Sequence, residues 1–230
     1  MKMSNKGIVE LVGHEGICLS KYRDSVGVWT IGVGATRTEI PDLASWPLSK
    51  TITMEDAFSL LGRSLLKYEI AVSNSLTREI AQTQFDALVS WCYNVGVGYT
   101  KPVRNRKGEM TRNVASVIRL LNSGASGAEL YRALMLYKKP PEIIERRRKE
   151  ASLLAYGTYS NDGKALLFPV SSSGYPIYSR GKSINVWEHV MLTSEVEPEP
   201  TEVATEEEKK LESRPSFLQQ VLNIIKALLK

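Results

Sequence analysis

Glu15, Asp24 and Thr30 stand close together near the front of the chain, with eight residues between the two acids and five between Asp24 and Thr30. Two carboxyl groups and a hydroxyl beside a cleft suit glycoside hydrolysis. One carboxylic acid protonates the leaving oxygen, and the other carboxylate activates water or steadies an oxocarbenium-like state. The spacing alone does not decide the matter, because a helix-surface Glu and a turn-forming Asp give the same pattern.

The surrounding residues predict how these groups are carried. Ile8, Leu11, Val12, Ile17 and Cys18 recur at helical spacing, which predicts an amphipathic helix over 4–18 with Ser4 or Asn5 as its N-cap. Asp24, Gly27, Gly32 and Gly34 then punctuate short β-branched and aromatic pieces, which predicts a small β region over 20–38. An acid at the end of a helix would therefore face an acid and a hydroxyl on a glycine-rich hairpin.

Glu15, Asp24 and Thr30, with the string Tyr22-Arg-Asp-Ser-Val-Gly-Val-Trp-Thr-Ile-Gly-Val-Gly34, resemble the catalytic signature of the phage-type lysozymes, the glycoside hydrolase family 24 endolysins. The resemblance covers residues 5–160. It implies a muramidase that cuts the β-1,4 bond between N-acetylmuramic acid and N-acetylglucosamine in peptidoglycan, with inversion. In the family's terms Glu15 is the general acid, Asp24 positions water or stabilises positive charge, and Thr30 orients that water. The string Ala87-Leu-Val-Ser-Trp-Cys-Tyr-Asn-Val-Gly96 resembles a second family block. It puts Asn94 at a substrate-binding position, where its amide could meet an N-acetyl group; a helix C-cap amide is the other reading. An Arg that pairs with the catalytic Glu matches Arg146 best, with Arg147 second. The alternative for these arginines is a solvated face paired with Glu142, Glu145 and Glu150. Ala35 departs from the family, which often carries His there.

The chain has 230 residues, 43% of them hydrophobic, enough for one compact domain with appendages. Lys and Arg number 30 against 25 Asp and Glu, and the acids cluster at 195–212, so the body is basic. That suits an anionic wall polymer; no nucleic-acid motif accompanies it. Cys18 and Cys92 read as buried free thiols, although Cys18, one helical turn from Glu15, leaves a redox switch open. His14 and His189 are the only histidines, which excludes a histidine-rich metal site. No cofactor is expected.

Further along, Thr53 and Asp56 predict a capping box opening a helix to about residue 73, and residues 83–96 read as the central core helix. Trp46 is read as a lid over the core, with a rim residue that could stack on a sugar as the other reading. Residues 99–112 read as a basic solvated loop, followed by helices at 113–123, 126–136 and 141–156. Residues 157–190 hold few helical signals; Leu166-Leu-Phe-Pro-Val170, Tyr175-Pro-Ile-Tyr-Ser179 and Ile184-Asn-Val-Trp-Glu188 alternate or are β-rich, which predicts an irregular segment or short strands wrapping the domain. Tyr159, Tyr175, Tyr178 and Trp187 there could stack on sugars, with packing against the body as the other reading.

The expected architecture is α+β and mostly α: a lysozyme-like catalytic domain at 1–160, with a small β-hairpin lobe and a larger helical lobe. An irregular extension at 161–193 packs on it, and an acidic disordered linker at 194–212 leads to an amphipathic helix at 213–230. Fifteen helical residues there span roughly 22 Å, short of a bilayer core, so membrane-surface contact, a coiled coil and docking on the enzyme all remain open. The polar start holds no signal peptide. The expectation is a monomer that accumulates in the host cytoplasm until a holin releases it to the periplasmic wall. Two other functions stand beside this one: a lytic transglycosylase, and a membrane-active wall-binding protein without catalysis.

Overall fold

The computed structural model describes residues 1–104 and 110–193. The linker at 194–212, the C-terminal helix at 213–230 and the centre of the basic loop lie outside these residues.

The first helix, α1 (Asn5–Glu15), starts where Ser4 adopts extended backbone and its hydroxyl accepts the Gly7 N–H at 3.1 Å. It ends at Gly16, whose φ of +70° is open to glycine at little cost. The apolar pattern that suggested helix up to Cys18 is thus cut three residues early. Ile17 and Cys18 leave the helix, and Cys18 opens β1 (Cys18–Arg23), which pairs antiparallel with β2 (Trp29–Gly32). Glu15 is thereby fixed as the last residue of α1, and the helical-turn relation between Cys18 and Glu15 does not exist.

The capping box forms as expected: the Thr53 hydroxyl accepts the Asp56 N–H, and the Asp56 carboxylate accepts the Thr53 N–H, each at 3.1 Å. It opens α2 (Met54–Ser73), which joins two apolar clusters. Leu60 lies with Ile31, Ala35 and Leu43 under the hairpin, where Trp46 and Trp29 pack against them. Leu61 and Leu65 face the larger cluster. The centre of that cluster is α3 (Gln82–Val95), with Phe85, Leu88, Val89 and Cys92 buried. Around it stand α4 (Ser116–Asn122), α5 (Gly127–Leu134) and α6 (Ile144–Tyr156). Between α3 and α4 the chain makes two short antiparallel strands, β3 (Val103–Arg104) and β4 (Met110–Arg112), where the sequence suggested only a loop.

Beyond residue 157 the short-strand reading holds for two of the β-rich pieces, and a helix the sequence did not suggest follows them. Strand β5 (Lys164–Leu167) pairs antiparallel with β6 (Lys182–Asn185), and α7 (Trp187–Thr193) follows. Buried Glu10 of α1 accepts the Asn161 N–H at 2.6 Å and the Ser160 hydroxyl at 2.9 Å. Ile17 donates to the Leu166 carbonyl at 2.8 Å and accepts from Phe168 at 2.9 Å, and Arg23 donates to the Gly174 carbonyl at 2.8 Å. Backbone bonds therefore attach this segment two residues after Glu15 and one residue before Asp24. Among the described residues no helix is long and apolar enough to cross a membrane.

Candidate active site

Glu15 leaves the end of α1 toward α6. Its carboxylate takes the Arg146 Nη1 at 2.7 Å, and the two side chains are 23% and 11% exposed. Arg146 also gives its Nε to Glu150 at 2.9 Å and its Nη2 to the Ser90 carbonyl at 3.2 Å. Glu150 is held from its other sides by Arg147 and by the Ser90 hydroxyl, which donates at 2.7 Å. Two carboxylates and two guanidiniums thus form one network of nearly balanced charge. Burying any one of them alone would be costly; together they satisfy one another. Burial would weaken protonation of Arg146, but Glu15 and Glu150 outweigh it and hold the guanidinium above its ordinary pKa. Arg147 is lowered, by burial first and by Arg146 as well, although Glu150 opposes the change.

Asp24 sits at the tip of the hairpin. Its Oδ1 accepts the N–H groups of Val26 at 3.0 Å and Val28 at 2.8 Å, so the turn itself orients the carboxylate. Gly27, at φ +84°, closes that turn on the Asp24 carbonyl. Thr30 is buried, and its hydroxyl donates to the Val28 carbonyl at 3.2 Å. In the ladder Tyr22 stands directly opposite Thr30, so the two share one face of the hairpin.

Tyr22 connects the two halves of the site. Burial drives its phenol well above the usual value, and the charges of Cys18, Glu15, Tyr178 and Asp24 add to the shift. Both acids therefore lie within electrostatic reach of one phenol. The charge of Glu15 also reaches two more tyrosines. Burial pushes Tyr68 up to about 12 and Tyr93 well above its ordinary value, and Glu15 contributes to both. Their rings meet at 4.8 Å, and the Tyr93 hydroxyl donates to the Val33 carbonyl at 2.6 Å. The hydroxyl of Tyr93 also lies 3.0 Å from where a Cβ on Gly34 would stand, which accounts for a glycine there.

The structure brings Glu15, Asp24 and Thr30 to one region and sets Arg146 on Glu15. Arg147, the second candidate, is buried behind it, so neither arginine belongs to a solvated face; Arg148, paired with Glu145 at the surface, does. Asn94 is exposed and joins the network indirectly, accepting from Arg147 at 2.6 Å. The C-cap of α3 is Gly96, not Asn94. His14 is drawn into the same electrostatics. Burial, then Arg146, Lys149 and Arg147, push its imidazole down to about 3. Tyr22, Tyr93 and Ser90 escaped the sequence reading, which named Glu150 as an arginine partner but placed it on a solvated face. Tyr22 had a local signal, since it precedes Asp24 by two residues in a strand; the others depend on which helices pack together.

Two concavities, of about 420 Å³ at Arg78 and Gly124 and about 240 Å³ at Glu10 and Lys149, contain none of the three predicted catalytic residues. Among the described residues no three His, Cys, Asp or Glu side chains gather as a metal site.

Residues 12–150 match the family described as Phage lysozyme. The endolysin of Salmonella phage P22 is 33% identical over 158 residues, which covers 66% of this chain and 97% of that relative. Among solved structures, an endolysin from Escherichia coli O157:H7 phage FAHEc1 is 27% identical with a TM-score of 0.58, covering 70% of this chain and 98% of that one. The muramidase domain of SpmX from Asticaccaulis excentricus is 29% identical with a TM-score of 0.52, covering 66% and 97%.

Proposed function

Because this chain belongs to the phage lysozyme family and is a peptidoglycan-hydrolysing endolysin, we propose that it is a muramidase acting through Glu15, Asp24 and Thr30. The bond cut is the β-1,4 link between N-acetylmuramic acid and N-acetylglucosamine. Glu15 gives its proton to the glycosidic oxygen as the bond to the anomeric carbon breaks. Water attacks that carbon from the opposite face and passes a proton to Asp24, and the product carries the inverted configuration. Thr30 orients the water, and solvent returns the proton from Asp24 to Glu15. Arg146 holds Glu15 in place. Asn94 presents its amide to an N-acetyl group at the rim.

The observation that carries this reading is the placement of Glu15. It is locked by Arg146 at the exit of α1 and reaches, through Tyr22, the hairpin that bears Asp24 and Thr30. Hairpin amides aim the Asp24 carboxylate, and a second aimed carboxylate suits water attack better than a lytic transglycosylase, which needs one acid. Mass spectrometry of digested purified peptidoglycan is the test. Reducing N-acetylmuramic acid ends support the proposal; 1,6-anhydro ends, or no product, overturn it.

A further inference from the structure

Phe168 is wedged between two glycines. A Cβ on Gly16, the residue after Glu15, would lie 2.6 Å from one edge of its ring, and a Cβ on Gly181 would lie 2.6 Å from the other. On this wedged ring stands Tyr178, edge to face, with centroids 5.2 Å apart and planes at 73°. Tyr178 opens the short 3-10 turn Tyr178–Arg180, which Gly181 closes by donating to the Tyr178 carbonyl. One side of the phenol is thus held firmly, while the side chain as a whole is 72% exposed. Of the other large aromatics in this segment Tyr175 is exposed as well, whereas Tyr159 and Trp187 are taken up by the body. Tyr159 donates to Asp86 at 2.7 Å, and Trp187 packs so tightly over Gly163 that no Cβ would fit. Backbone bonds seat this segment beside both acids: the Phe168 N–H donates to the Ile17 carbonyl at 2.9 Å, two residues after Glu15, and the Gly174 carbonyl accepts the N–H of Arg23, next to Asp24, at 2.8 Å. An exposed aromatic ring, braced on one side, therefore stands on the segment bonded next to both acid-bearing residues and beyond the 12–150 family match.

We propose that Tyr178 is a substrate-stacking residue whose ring takes the apolar C–H face of a pyranose next to the sugar being cut. This rests on the glycosidase reading above. A pyranose presents a flat patch of C–H groups that leaves water favourably against an aromatic face, and the hydroxyl rim stays wet. Because the ring is already braced by Phe168, little conformational freedom is lost on binding. The residue sets glycan affinity and preferred chain length, not the chemical step.

The test uses the full chain carrying Glu15→Gln, which binds without turnover, and isothermal titration with peptide-free peptidoglycan glycan strands. Y178A should weaken binding about fivefold, whereas Y178F and Y178W should stay within about twofold of the parent. In the active protein the Y178A loss should fall on KM. Binding by Y178A equal to the parent overturns the inference, as does an equal loss in Y178F, or a loss confined to kcat. Y178Q serves as the truncation if Y178A lacks a cooperative melt. Failure of the glycosidase reading is separate: it is the absence of reducing ends from the active chain, whatever the Tyr178 variants bind.

Discussion

Replacing Arg146 by Gln should uncouple the proton donor from its mount. The guanidinium makes three directed bonds, to Glu15 at 2.7 Å, to Glu150 at 2.9 Å and to the Ser90 carbonyl at 3.2 Å. Removing one partner of a buried ion pair costs about 3–5 kcal/mol, chiefly because the other charge is stranded. Here Glu150 keeps Arg147 and the Ser90 hydroxyl, and Glu15 is exposed enough to recover water. The cost should therefore fall at the low end, about 3 kcal/mol, or roughly 6–12 °C in Tm for a domain of this size. The catalytic loss has a different origin. A carboxyl group displaced by about 1 Å can lose about 100-fold in rate, so kcat should drop by about that factor while KM changes little. Urea unfolding and release of reducing ends from purified peptidoglycan measure the two effects separately. Arg146→Lys keeps the charge but not the planar fork, and should recover stability before activity. An R146Q protein within about 0.5 kcal/mol and about twofold of the parent would refute the idea that this network positions Glu15.

Glu15→Gln should abolish measurable release of reducing ends, a loss of about 100-fold or more, while circular dichroism still shows a cooperative melt; full activity would remove Glu15 from its role. His14, ordinarily near 6.5 and pushed down to about 3 here, stays neutral in the fold while the unfolded chain takes up a proton below about 6.5. Stability should therefore fall as pH drops through that window. H14Q should lose about 1–2 kcal/mol less than the parent between pH 7 and pH 5, measured by urea titration; identical slopes would contradict this. Burial pushes the thiols of Cys18 and Cys92 up to about 12, so a disulfide reagent at pH 8 should label neither until guanidinium unfolds the protein. Prompt labelling of the native chain would reopen a redox role.

What could be read ahead of the structure was local. The Glu15, Asp24 and Thr30 spacing, the Thr53 capping box and the apolar face of α3 each need only a few neighbouring residues. The end of α1 was misplaced because Ile17 and Cys18 continue the helical period, while the left-handed backbone of Gly16 overrides it. Glu150 looked like one more charge on a polar helix; only the packing of α6 on α3 makes it a buried partner of Arg146. After residue 157 the β-rich pieces were legible as short strands, but not what they attach to, because their bonds to Ile17 and Arg23 span separations that no local window covers. Trp46 covers the smaller cluster, as its lid reading anticipated, and its indole N–H donates to Asp42 at 3.0 Å.

The anchoring of Ile17 and Arg23 to Leu166, Phe168 and Gly174 has a consequence for synthesis. The acid-bearing residues leave the ribosome well before the strands that hold them. About 170 residues separate Glu15 from the end of β6, which at common translation rates is roughly 10–30 s of elongation. During that interval a nascent chain carries its acids without the scaffold that aligns them. Competence therefore arrives late and at once, when the returning strand docks, and truncated translation products should be poor lysins.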